Sequence, residues 1–255
     1  MKITTDNHVH TVSSLCASRE AIPADYLKIC KANGINVIGF TDHMWDSAIP
    51  GASDWYKPQN MERISLIRDM IPDDIDGIKI MFGCETEYVG NGKIAITKES
   101  AKTLDYVLVP PNHFHMKDLV IPSSVTDNAE YKKYLIDRFM EICAIDLGVQ
   151  MGIAHPFMPL GIPETDVVLA SITDDEYIKC FNYAKENGKS IELQTQLAVL
   201  DNPEFNRMIK IAYDCGSLFH VGSDSHNMER FNGAHERLGN FLDQLGMEHA
   251  RIRAF

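Results

Sequence analysis

Seven short apolar runs are spaced along this chain, and six of them end in a histidine or a carboxylate. The runs cover 2–9, 35–43, 77–85, 104–111, 148–156, 190–195 and 217–225. His8 and His10 close the first, Asp42 and His43 the second, and Glu85 the third, with Glu87 two residues on. "NHFH", carrying His113 and His115, follows the fourth; His155 ends the fifth, and Asp224 and His226 end the seventh. Alternate residues of a strand share a face, so H-x-H, E-x-E and D-x-H each aim two side chains the same way.

Helical patterns with clear punctuation lie between most of the runs. In "NPEFNRMIKIAYDCG", Asn202 is placed to cap the helix, Pro203 to start it and Gly216 to stop it. "TDDEYIKCFNYAKENG" offers a capping box of Thr173 with Glu176 and ends at Gly188. "PADYLKICKANG" and "NGAHERLGNFLDQLG" also end on glycine, and Leu135, Phe139 and Ile142 share one face of a longer helix. Strands alternating with helices specify a parallel sheet covered by helices. Seven strand–helix units are expected, the third and fourth poorly delimited, with no linker or repeat between them, so residues 1–255 are expected to form one domain. An open doubly wound sheet would spread the polar strand ends along an edge. A closed barrel gathers them at one mouth, where parallel barrels carry their active sites. The expected fold is therefore a barrel, in which the first and last strands are neighbours and "HVH" and "SDSH" complete one site.

The 36 acidic residues outnumber the 24 basic ones, for a formal charge of −12. That balance argues against an extended nucleic-acid surface, which needs a basic face to displace phosphate counterions. Six cysteines are scattered with no C-x-x-C pair, so a reducing, cytoplasmic setting is expected. His8 comes too early for a signal peptide, and no apolar run reaches transmembrane length.

Imidazole with carboxylate suits zinc, iron(II) or manganese, and suits calcium or magnesium poorly. A carboxylate such as Glu85 can bridge two such ions, the arrangement of two-metal phosphoesterase sites. A mouth of this kind fits hydrolysis of an anionic ester better than redox chemistry.

The ordered set "NHVHT", "FTDH", "GCE", "NHFH", "AHP" and "GSDSH" resembles the polymerase and histidinol phosphatase (PHP) superfamily, from His8 to His226. The resemblance implies a distorted (β/α)7 TIM-like barrel, usually holding three divalent metals. It implies that His8, His10, Glu85 and Asp224 hold a first ion, and that Glu85 bridges to a second shared with His113 and His155. A third would fall to His43, His226 and a loop residue that is usually histidine or aspartate. Here Cys16 stands in that loop; as a thiolate it is a good zinc or iron(II) ligand, and otherwise the centre holds two ions. The function implied is a metal-dependent phosphoesterase of histidinol-phosphatase type, in which a metal-bridging hydroxide attacks phosphorus. Its partner would be a small phosphorylated substrate, with no nucleic acid and no membrane. A metal-dependent amidohydrolase, a nucleotide or nucleic-acid phosphodiesterase of the same superfamily and a non-catalytic binding module are the alternatives.

Other residues divide by position. Asp42 is a candidate to protonate the leaving group or to support an imidazole. Glu87 and His115 are expected to be structural or to face substrate. His220, inside the last strand, is expected in the barrel core, and His235 and His249 receive no role. The segments 44–60 and 116–128 are expected to overhang the mouth, where barrel enzymes vary specificity. Arg19 and Arg230 are the candidates to grip a phosphate through paired hydrogen bonds.

Overall fold

β-strands form where those apolar runs lie, and a few shorter ones join them. In chain order they are β1 (Thr5–Val9), β2 (Val37–Phe40), β3 (His43–Met44), β4 (Lys79–Thr86), β5 (Tyr88–Gly90) and β6 (Lys93–Ile94). β7 (Tyr106–Val109), β8 (Gln150–Ile153), β9 (Ser190–Gln194), β10 (Leu218–Gly222) and β11 (Arg251–Ile252) follow. The structure, a computed structural model, describes every residue other than 73, 74, 76, 117, 118, 159, 160, 163 and 254 and the side chains of 197 and 198.

The main sheet runs β1-β2-β4-β7-β8-β9-β10-β11, parallel throughout, with β3 lying against the end of β4. It curls until its ends meet. Val9 bridges Ser225, the His10 N–H donates to Ser225 O at 2.9 Å, and the Asp224 N–H donates to His8 O at 2.8 Å. This contact lies at the carboxyl ends of β1 and β10. Lower down, β11 pairs with Leu218 and Phe219 of β10, and the Ser223 N–H donates to the Asp6 side chain. The result is a TIM-like barrel that closes by main-chain pairing only at its mouth, which is its distortion.

The inside of the barrel is packed. Tyr106 on β7 reaches across to β1, which is not its neighbour, and donates to Asn7 O at 2.6 Å. Its ring stacks on Phe255 at 4.3 Å, and Met81, Leu108 and Ala154 complete this inner cluster. Gly39 and Gly83 leave the room that Tyr106 occupies, and Gly152 leaves room for His220. His220 is buried there and pairs with Ser190, the core position expected of it.

Helices cover the outside and obey their sequence punctuation. Pro203–Asp214 is capped by the Asn202 side chain, which accepts from Glu204 and Phe205 N–H. It buries Phe205, Met208, Ile209 and Ala212 against the sheet, the larger of them stabilising by about 1.5–3 kcal/mol each. Both halves of the Thr173–Glu176 capping box are present at Asp174–Glu186, and Leu135, Phe139 and Ile142 are buried on Asn128–Cys143. Between β4 and β7 the crossover is irregular, a β5–β6 hairpin and the one-turn helix Lys98–Ala101. Among the described residues, no helix is long and apolar enough to cross a membrane.

Candidate metal centre

Six of the seven strands expected from the sequence deliver a ligand-type side chain to the mouth, because the chain leaves the sheet there. Two positions leave it under strain: His155 has φ 28° and Asp224 φ 47°, left-handed conformations that cost about 1–3 kcal/mol each outside glycine. The surrounding contacts hold both in place, the Asp224 N–H on His8 O among them.

His8 and His10 point inward from β1 with their Nε2 atoms 3.0 Å apart. Glu85 Oε2 lies 3.6 and 3.5 Å from these nitrogens, and Asp224 Oδ1 lies 3.6 and 3.2 Å from them. Donors about 2.0–2.2 Å from a tetrahedral ion stand about 3.3–3.6 Å from one another; His8, His10 and Glu85 have all their donor atoms within 4.8 Å of one another, and Asp224 stands beside the two imidazoles. The other oxygen of Glu85, Oε1, is 3.0 Å from His155 Nε2 and 3.9 Å from His113 Nε2. Glu85 therefore faces two groups with two different oxygens, the placement a bridging carboxylate needs. His10, His43 and His226 form a third group whose donor atoms lie within 4.8 Å of one another; Cys16 is not in that group but is near enough to His43 and His226 for both to lower its thiol.

The imidazoles are turned alike. His8 Nδ1 meets Glu192 at 3.0 Å, His10 Nδ1 meets Ser14 Oγ at 3.0 Å, His113 Nδ1 meets Glu87 at 2.5 Å and His155 Nδ1 meets Asn112 Oδ1 at 2.9 Å. With each Nδ1 set against an acceptor, each Nε2 is the nitrogen left to offer a lone pair to a bound ion, the orientation that metal ligation requires. His43 Nδ1 is buried without a hydrogen-bond partner, although Glu85 Oε2 is 3.0 Å away. An orphaned imidazole nitrogen beside a carboxylate is what a shared cation would satisfy.

Buried carboxylates and imidazoles shift one another: against burial, Glu192 and Glu85 raise His8, and Glu85 raises His43 and His155. Burial would push the Glu85 carboxyl up, but His8 and His43 outweigh it and hold it well below the usual range. Asp224 is likewise held low against its burial, by His10 and His8. Burial pulls His10 well down, and His226 and His43 add to it, which favours a neutral, ligating ring. Burial raises the Cys16 thiol, but His226 and His43 bring it down to about 7.

Over the centre opens a cavity of about 540 Å³. Glu85, His155 and Asp224 line it together with Cys16, His43, His113 and His226. Ser53, Trp55 and Tyr56 come to it from segment 44–60, and Met116 and Leu119 from segment 116–128. Both segments thus overhang the mouth; positions 117 and 118 of the second fall outside the described residues. His115 lines the cavity without joining any of the three groups, and Glu87 is buried, accepting from Tyr56 Oη and His113 Nδ1.

Three candidate residues do not line the cavity, Asp42 among them in the supporting place that was one of its two expected roles. Asp42 does not line the cavity, because both its oxygens are occupied by the loop that follows β1. Oδ1 accepts from Thr11 N–H at 2.7 Å and Ser14 Oγ at 2.6 Å, and Oδ2 accepts from Thr11 Oγ1 at 2.7 Å. Ser14 accepts from His10, so Asp42 acts on the centre through it. Arg19 and Arg230 are exposed, and neither lines the cavity.

The sequence reading passed over Glu192, Ser14 and Asn112. Glu192 carried a signal, an acidic residue in the middle of an otherwise apolar strand. Ser14 and Asn112 carried none that sets them apart from ordinary loop residues.

A parallel barrel whose mouth gathers six imidazoles and two carboxylates around shared positions defines the class of metal-binding barrel hydrolases. The chain belongs to the PHP domain family, whose model matches residues 6–196. The family makes it a metal-dependent phosphoester hydrolase. The match stops before β10, so Asp224 and His226 join the site on geometry alone. A probable phosphatase of Aeromonas hydrophila is 27% identical over 231 residues, 89% of this chain and 79% of that protein. A probable phosphatase of Shewanella frigidimarina is 28% identical over 228 residues, with the same coverage of 89% and 79%. Among solved structures, a histidinol phosphate phosphatase from Lactococcus lactis, complexed with zinc, L-histidinol and phosphate, superposes with a TM-score of 0.60. It shares 16% identity, with 96% of this chain and 94% of that one covered.

Proposed function

We propose that this protein hydrolyses a small phosphate monoester, in the manner of a histidinol phosphatase, at the centre beneath the cavity. The observation that carries this reading is Glu85, whose two oxygens face two donor groups. His8, His10, Glu85 and Asp224 would hold one divalent ion, and Glu85, His113 and His155 a second. His43 and His226 would hold a third with Cys16. Zinc, iron(II) and manganese fit these donors. Bound there, such ions supply Lewis acidity, making water nucleophilic at neutral pH and offsetting charge on phosphoryl oxygens.

The chain's own groups do the rest. Glu192, Ser14, Glu87 and Asn112 fix the direction of four imidazoles, so the donor set is arranged before substrate arrives. Trp55, Met116 and Leu119 give the cavity an apolar wall that shields the reacting group from bulk water and packs on the alcohol half of the substrate. A cavity of about 540 Å³ matches a small molecule in size. Histidinol phosphate is the first monoester to try, on the likeness to the Lactococcus lactis enzyme.

The test pairs elemental analysis of the purified protein with phosphate release from a monoester panel. Two or three zinc, iron or manganese ions per chain and turnover of one monoester are expected. Chelation and the variants His8→Ala and Asp224→Ala should each remove that turnover. Full activity of either variant after metal reconstitution would sink the proposal, as would absence of phosphate release by the reconstituted wild type.

A further inference from the structure

β9 is the one barrel strand that sends no ligand-type side chain to the mouth, yet it carries a carboxylate at its centre. Glu192 is fully buried. Its Oε2 accepts from His8 Nδ1 and from the backbone N–H of His155, each at 3.0 Å. Gln194 Nε2 donates to the other oxygen. Gly222 on β10 makes the space: a Cβ there would stand 2.3 Å from Glu192 Oε1 and 2.5 Å from its Cδ. Three strands are thus shaped around one carboxylate that touches no solvent.

The two groups held by Oε2 belong to different halves of the centre. His8 faces Asp224 and one oxygen of Glu85, whereas His155 faces the other oxygen of Glu85. His155 is also one of the strained positions, at φ 28°, and the bond to Glu192 fixes its N–H. Glu87 orients the ring of His113, Asn112 holds the ring and the carbonyl of His155 alone, and Ser14 holds the His10 ring and the His43 N–H, both of which face the same oxygen of Glu85. Glu192 orients one ring and one backbone, across two strands.

We propose that Glu192 is a positioning residue that couples the two ion sites bridged by Glu85, by holding the His8 ring and the His155 backbone on a single oxygen atom. This rests on the proposed function only in taking His8 and His155 as ligands. A carboxylate on the far nitrogen makes an imidazole a stronger donor, and losing such a partner weakens metal binding about 10- to 100-fold. Because the partner is shared, the loss falls on both sites at once.

Glu192→Gln is the fitting variant. Its amide oxygen can take the place of Oε2, and its NH2 then faces Gln194. Gln194 Oε1 has no partner, so a flip of that amide accepts the new N–H. The variant therefore keeps the packing and removes the charge.

Zinc and cobalt binding to metal-free protein would be titrated calorimetrically and resolved into steps, for wild type, Glu192→Gln and Asn112→Ala. The expected result is a loss of about 10-fold or more in two steps for Glu192→Gln, with the metal-free thermal midpoint within a few degrees of wild type. Asn112→Ala, which frees the His155 ring and carbonyl and the Met158 carbonyl but no group around His8, should weaken one. If Glu192→Gln does not fold, Glu192→Asp takes its place; it keeps the charge but draws the oxygen back by one methylene, and the same double loss is expected. Wild-type steps in the folded variant, or a loss confined to one step, overturn the coupling. Metal binding by wild type without phosphate release would refute the proposed function and leave this inference standing, whereas a wild type that binds no metal refutes both.

Discussion

Gly39→Ala tests whether the barrel interior is a packed core that sets the position of β1. An added Cβ at Gly39 would lie 1.9 Å from Tyr106 Oη and 2.9 Å from Cζ, against about 3.5–4.0 Å for comfortable contact between carbons. Tyr106 has nowhere to go, with its hydroxyl on Asn7 O at 2.6 Å and its ring stacked on Phe255. Overpacking of this kind costs about 1–3 kcal/mol, and leaving the Asn7 carbonyl unpaired adds about 1–3 kcal/mol. The single variant should therefore lose roughly 2–6 kcal/mol. Tyr106→Phe alone should lose about 1–2 kcal/mol through the same hydrogen bond, but it also deletes the atom nearest the new methyl. In the double variant the obstacle recedes from 1.9 to 2.9 Å, and its loss should fall short of the sum of the singles by at least about 1 kcal/mol. Urea denaturation of metal-free proteins measures all four corners of the cycle. In a chain this long each 1 kcal/mol also appears as about 2–4 °C in Tm. Additivity within about 0.5 kcal/mol would mean that Tyr106 is not what Gly39 makes room for.

Two further outcomes are expected. Cys16, at about 7 rather than 9.0, is thiolate above neutrality, so its alkylation by iodoacetamide in metal-free protein should rise with a midpoint near pH 7. The buried Cys30, Cys84, Cys143 and Cys180, all pushed upward mainly by burial, should stay unreactive; a midpoint near 9 for Cys16 would break its pairing with His43 and His226. Trp55→Ala removes an aromatic edge 5.4 Å from His43, an interaction of about 0.5–1.5 kcal/mol. It should raise KM for the preferred monoester about 3- to 10-fold with kcat little changed, and a fall in kcat alone would place Trp55 in the chemistry instead.

Strand ends were legible because a parallel barrel turns a local pattern, apolar run then ligand, into a convergent one. The helices were legible through their caps, as at Asn202 and Thr173. What local pattern could not separate was a ligand from its support. Asp42 and His43 are adjacent and equally polar, and only the return of the β1 loop, which brings Thr11 and Ser14 onto Asp42, distinguishes them. Glu192 is 184 positions from the histidine it holds, so its role depends on barrel closure rather than on its neighbours in sequence. Arg19 and Arg230 flank centre residues along the chain, but nearness in sequence did not bring them into the cavity. The β5–β6 hairpin and β11 are too short for alternation to announce them.

Barrel closure at the mouth has a consequence in time. His8 and His10 are made more than two hundred positions before Asp224 and His226, and the β1–β10 seam joins them. At about 5–20 residues per second, a ribosome needs about 10–40 s to travel from one to the other. For that interval the early histidines have no Asp224 to face and β1 has no β10 to pair with, so the nascent chain offers metal only partial sites. Assembly of the complete centre must therefore wait until β10 has left the ribosome, and ions supplied during synthesis meet a chain that cannot yet hold them in their final arrangement.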